Sequence, residues 1–123
     1  MKAPILLALA ALPISAARAA EPAGTLTLAC QGTQTRWTAE GMKSEPVTMT
    51  LIVDFQKKTV VGFPGTDAPV NIKNSDEMTI SFSRDIGSSR FNGIIDRMRS
   101  TVDAVYMSLD TSTPDFGYAL KCK

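Results

Sequence analysis

The stretch VTMTLIVDF, residues 47–55, alternates apolar and polar side chains with a period of two. Val47, Met49, Leu51, Val53 and Phe55 fall on one side, Thr48, Thr50 and Asp54 on the other, with Ile52 the apolar exception. A pleated strand turns successive side chains to opposite faces, whereas a helix repeats its apolar face every three to four residues. The same alternation runs through Leu26, Leu28 and Cys30, through Met78, Ile80 and Phe82, and through Phe116, Tyr118, Leu120 and Cys122. Shorter runs at residues 59–63 and 69–73 follow it too. Threonine and β-branched residues, which suit a half-buried pleated surface, fill these segments. Between them lie QKK, PGTDAP, NSD and DIGSS, made of residues that bond or pre-set turn backbone. The pattern predicts an all-β fold, a small antiparallel meander of about eight strands.

One segment admits two periodicities. FNGIIDRMRSTVDAVY, residues 91–106, reads either as an amphipathic helix carrying Asp96 and Asp103 or as two strands around a polar turn. Gly93, Ser100, Thr101 and several β-branched residues all disfavour a helix interior. The hairpin is therefore expected, SRFNGIID pairing with TVDAVYMSLD around Arg97–Ser100, with Asp96 and Asp103 flanking the turn and facing solvent. By contrast, residues 31–46 are polar, contain Gly32, Gly41 and Pro46, and show no clear period. They are expected to form a long polar loop.

The first nineteen residues, MKAPILLALAALPISAARA, have the marks of a secretory signal: Lys2, an apolar run from Ile5 to Ile14, and an Ala17-Arg18-Ala19 cleavage tripeptide. That run is shorter than the roughly 20 residues that span a bilayer. Cleavage after Ala19 would leave a single β domain, residues 20–123, in the periplasm or outside the cell. Its 11 basic residues, once Lys2 and Arg18 are gone, nearly balance 12 acidic ones, without blocks of like sign, so nucleic acid is not an expected partner.

Export makes a disulfide the natural reading of the chain's two cysteines, Cys30 and Cys122. Cys30 shares its face with Leu26 and Leu28, and Cys122 shares its face with Tyr118 and Leu120, so both sulfurs point to the core. A bridge between them brings the first and last strands within about 7 Å. That requirement favours a closed barrel over the alternative, a sandwich with open edges.

The residues that commonly do chemistry are few. The chain has no histidine, which removes Ser-His-Asp triads and imidazole ligands. Asp67, Asn71, Asn74 and Asp76 lack calcium-loop spacing, and Ser88 and Ser89 have no neighbouring base. Asp54 ends a strand and is expected to bond the turn that follows. No cofactor, metal or catalytic residue is expected. Trp37, the sole tryptophan, has two readings: a cap over one end of the barrel, or an anchor for a partner. Together with Arg36 and Glu40 it forms the candidate partner-binding set. The expected function is a non-catalytic binding or inhibitory module of the cell envelope, its partner a protein, polymer or small ligand, with no membrane span. A small-ligand carrier using the barrel interior is the alternative, and a carboxylate-dependent hydrolase has the least support.

With these residues in view, the chain resembles a family of small exported proteins from alphaproteobacteria. The likeness rests on LACQGT, IVDF with TVVGFPG, FNGIIDR and YALKC, in that order through most of the mature chain. That family carries no assigned activity, so the resemblance implies no catalytic residues. Its pattern places a Thr-Gly turn after IDR, where this chain has Arg99-Ser100. A looser likeness is to the periplasmic inhibitors of c-type lysozyme, small barrels closed by a bridge between early and late strands. GSSR, residues 87–90, departs from their Ser-Gly loop, so this likeness concerns architecture and not activity.

Overall fold

The computed structural model describes residues 24–64, 66 and 68–123; the signal segment expected at residues 1–19 lies outside them. Eight strands follow one another: β1 (Thr25–Thr38), β2 (Gly41–Asp54), β3 (Thr59–Val61), β4 (Val70–Ser75), β5 (Thr79–Ile86), β6 (Ser89–Asp96), β7 (Thr101–Ser108) and β8 (Pro114–Cys122). Each pairs antiparallel with the next, and β8 returns to β1, giving a closed up-and-down barrel in sequence order. The predicted fold class is therefore observed, as a barrel and not a sandwich. The ambiguous segment is the expected hairpin, with Asp96 opposite Thr101 and a turn over residues 97–100.

Closure places Cys30 directly opposite Cys122, with Cα atoms 4.0 Å apart and the sulfurs bonded. Beside them, the Lys123 N–H donates to the Ala29 carbonyl at 3.0 Å and the Ala29 N–H to the Lys123 carbonyl at 3.4 Å. This reciprocal pair sets the hydrogen-bonding phase of the seam.

The interior is filled. Leu51, Val53, Val60, Val70, Ile80, Phe91 and Val102 are wholly buried. Phe63, from the chain just after β3, turns inward, its ring centroid 4.9 Å from Phe91, 5.3 Å from Phe82 and 5.8 Å from Tyr118. Gly93 makes room for this aromatic layer. A Cβ there would lie 2.7 Å from Cζ of Phe82 and would collide with the Asp103 carbonyl on the neighbouring strand. Met78, which the alternation assigned to the inner face, instead sits exposed in the β4–β5 turn. It precedes the first paired residue of β5, so the strand's period does not extend to it.

The long polar loop expected at residues 31–46 is not a loop. These residues form the upper halves of β1 and β2, paired continuously from Thr25–Asp54 to Thr38–Gly41 around a two-residue turn at Ala39 and Glu40. Both faces of this projecting ribbon are largely solvent-exposed, so its side chains show no apolar period although its backbone is regular. β8 covers β1 only up to Arg36, and β3 covers β2 only at Ile52–Asp54. The Ala29–Lys123 bonds turn the odd residues of β1 toward β8. The even residues of β2, Pro46 among them, therefore direct their backbone away from β1. Proline, which has no N–H to leave unpaired, is suited to such an edge-facing position.

Turn chemistry repeats around the barrel. The Oδ1 atoms of Asp54, Asp76 and Asp96 each accept two backbone N–H groups, from Gln56 and Lys57, Met78 and Thr79, and Met98 and Arg99, at 2.7 to 3.0 Å. All three lie at the end of the barrel where β1 starts and β8 finishes. Four residues after Asp54, Asp96 and Ser108 stand Lys58, Ser100 and Ser112, whose φ values of 58°, 59° and 58° are left-handed. Ser100 thus occupies a conformation that glycine adopts more readily than serine.

Cys30→Ala and Cys122→Ala should each lower stability by about 4–5 kcal/mol on the chain-entropy model. The double variant should be no less stable than either single one, as denaturant titration would show. Ser100→Gly should raise stability by about 0.5–1 kcal/mol, because glycine relieves the left-handed strain, and a higher melting temperature would register it. Hydrogen bonds from the Thr79 and Met78 N–H groups hold the Asp76 carboxyl below its ordinary value of 3.8. A carboxyl depressed in the folded state stabilises above its unfolded pKa and loses that contribution as pH falls through the folded value. Asp76→Asn should therefore be less stable than wild type at neutral pH, with the gap closing as pH drops below about 4.

Candidate binding groove on the outer wall

The barrel's inward residues account for its core; its candidate site lies on the other face. Along β8, Phe116, Tyr118, Leu120 and Cys122 point inward, which turns Gly117 and Ala119 out. The strand registers extend those two positions into rows across the wall. One row runs Thr35, Gly117, Val105, Asn92, and the next runs Thr33, Ala119, Asp103, Ile94, Ser81. Because the central members are glycine and alanine, the wall dips along β8 between β1 and β7. The result is an open groove of about 530 Å³.

Trp37 forms one bank. A Cβ at Gly117 would lie 3.6 Å from two atoms of the indole, so the ring rests over the glycine with ordinary van der Waals clearance. It remains 37% exposed, so more than a third of this large aromatic surface is open to solvent. Ile94 on β6, 43% exposed, contributes apolar surface on the opposite side, beside Val105. Three polar side chains complete the lining: Ser81, Asn92 and Asp103, none of which has a hydrogen-bond or ion-pair partner among the described residues. Thr35, by contrast, is 3.0 Å from the Ser44 hydroxyl. Among the described residues no lysine or arginine lines the groove, and Asp103 is its only carboxylate.

The three residues predicted as a partner-binding set are not brought together. Consecutive positions in a strand face opposite ways, so Trp37 lies on the outer wall while Arg36 turns toward the mouth of the barrel. There the Arg36 guanidinium sits 5.2 Å from the Phe116 ring centroid, and Phe116 in turn stacks on Tyr106 at 5.1 Å. Trp37 therefore does not cap the barrel end; Arg36, Phe116 and Tyr106 occupy that place. Glu40 is in the tip of the β1–β2 hairpin, its backbone N–H donating to the Thr38 hydroxyl at 3.3 Å.

Sequence reasoning passed over Asn92, Ile94, Asp103, Val105, Gly117 and Ala119 as site residues. The available signal was the outward phase of FGYALKC, where small residues take the places usually held by long polar ones.

The interior offers less room. A hollow of about 190 Å³ remains at the disulfide end, bordered by Leu26, Leu28, Ile95, Val102 and Cys122. That is below the roughly 300–1,000 Å³ of typical small-molecule sites. Among the described residues, no three His, Cys, Asp or Glu side chains cluster in a way that could hold a metal ion. No helix among them is long and apolar enough to cross a membrane. No protein-family model, curated protein or solved structure matches this chain.

Proposed function

We propose that the protein is a non-catalytic binding module of the cell envelope, acting in the periplasm or outside the cell, and that its ligand lies in the outer-wall groove. The observation that carries this reading is the joint placement of Trp37, over the glycine that seats it, and three unpartnered polar side chains around one depression. Tryptophan gives a large contact area for little loss of conformational freedom, and rigid strands hold the polar groups at fixed spacing. Among the described residues the groove holds one carboxylate, without the second acid or base that hydrolysis of a glycosidic or acyl bond ordinarily uses. The packed interior gives a carrier reading little volume. The disulfide accords with an oxidising compartment, as does the signal-like segment at residues 1–19.

Affinity capture tests the proposal. Oxidised protein, residues 20–123, immobilised and exposed to envelope extract and to insoluble cell-wall material, should retain a ligand. Trp37→Ala should reduce retention at least about tenfold, the loss expected for a central aromatic contact. Arg36→Ala, altered at the barrel mouth and not in the groove, should retain it as wild type does. Equal retention by wild type and Trp37→Ala would remove the groove from the binding surface.

A further inference from the structure

We propose that the groove ligand is a saccharide, bound with the apolar face of one pyranose ring against the Trp37 indole. This rests on the groove being the binding surface argued above. The chemistry of the lining selects among ligands. With no cationic side chain lining the groove among the described residues, phosphates, nucleic acids and acidic peptides would meet Asp103 with nothing there to offset it. A purely apolar ligand would bury Ser81, Asn92 and Asp103 without partners, a cost of about 1–3 kcal/mol for each group. The ligand must therefore combine an apolar surface with several hydroxyl or amide groups and carry no net negative charge.

A neutral pyranose has that combination. Its C–H groups form a flat patch with slight positive charge, which suits the negative π face of an indole. Its ring-edge hydroxyls are donors and acceptors together. Asp103 accepts only, while Asn92 offers both a carbonyl and an amide, and Ser81 a hydroxyl. These three side chains stand on adjacent strands, β5, β6 and β7, on the far side of the Gly117–Ala119 floor from Trp37. One sugar over the indole would leave the next unit of a chain lying across that floor toward the polar groups. The floor is sheet backbone with almost no side-chain relief, so an extended, ribbon-like oligosaccharide fits it better than a coiled one.

The test uses the oxidised protein and three purified probes: chitotetraose and cellotetraose, which are extended, and maltotetraose, which coils. Because Trp37 is the sole tryptophan, its emission reports occupancy in wild type, and calorimetry serves for the variants. At least one extended probe should give saturable quenching or a blue shift, with a Kd between about 10 μM and 1 mM. Trp37→Ala should weaken that binding at least about tenfold. Asp103→Ala, at an exposed position where folding is not at stake, should weaken it about tenfold through loss of a charge-assisted hydrogen bond. Arg36→Ala should leave it unchanged. No saturable response to any probe up to about 10 mM would overturn the assignment. So would binding that persists in both groove variants. If no probe binds while capture still depends on Trp37, the saccharide assignment falls and the groove remains the binding surface. If neither holds, both readings fall together.

Discussion

In an up-and-down meander every strand pairing but one is local, joining neighbours through a short turn. The exception is β1 with β8, which must bring together residues 92 positions apart. Loop-closure entropy opposes that step, and the Cys30–Cys122 bridge removes most of the opposition by keeping the two strands together even in the unfolded chain. What depends on it extends beyond stability. Without the β1–β8 seam both strands would have open edges, and Trp37 of β1 would lose Gly117 of β8, the residue it rests against. The candidate site straddles the one contact that is not local, so groove and barrel form together.

The inside and outside of the barrel divide the work. Inside, Phe63, Phe82, Phe91 and Tyr118 fill the volume that larger barrels keep for a ligand, and Gly93 yields the space one of those rings needs. Outside, concavity comes from the absent side chain of Gly117 and the single methyl of Ala119, flanked by larger ones. The β1–β2 ribbon projects past the barrel and leaves a length of β2 uncovered by β3. Pro46 interrupts the donor pattern along that edge, and lysine and glutamate at Lys43 and Glu45 lie to one side of it, which limits pairing with other strands.

Much of this was legible in the residues, and the limits have physical causes. Inward faces were readable wherever one side of a strand is buried, because burial forces a period of two; Leu51, Val53, Phe82 and Leu120 are instances. Asp54 was readable as a turn-bonding residue because its partners are two and three positions away. The ribbon at residues 31–46 was not, since a strand exposed on both faces has no apolar period to display. Arg36 and Trp37 were grouped as neighbours in sequence, yet alternation along the strand sends one to the barrel mouth and the other to the wall. Ser100 is a further case: only the backbone reveals that it fills a left-handed position, which its residue type does not announce.

By itself, then, the amino-acid order determined the strand content, the inward faces, the turn chemistry and the pairing of Cys30 with Cys122. Each of these depends on interactions within a strand or turn, or on a choice among two sulfurs. The tertiary structure alone decided that β1 and β2 continue as a ribbon and that Trp37 lies over Gly117. It also decided that Asp103, Asn92, Ile94 and Ser81 share one depression with them. Those residues come from five strands, and their meeting depends on strand order and register. Between β5 and β8 each register follows from a hairpin turn and the inward pattern, whereas the β1–β8 register that brings Trp37 to Gly117 is fixed only when the barrel closes.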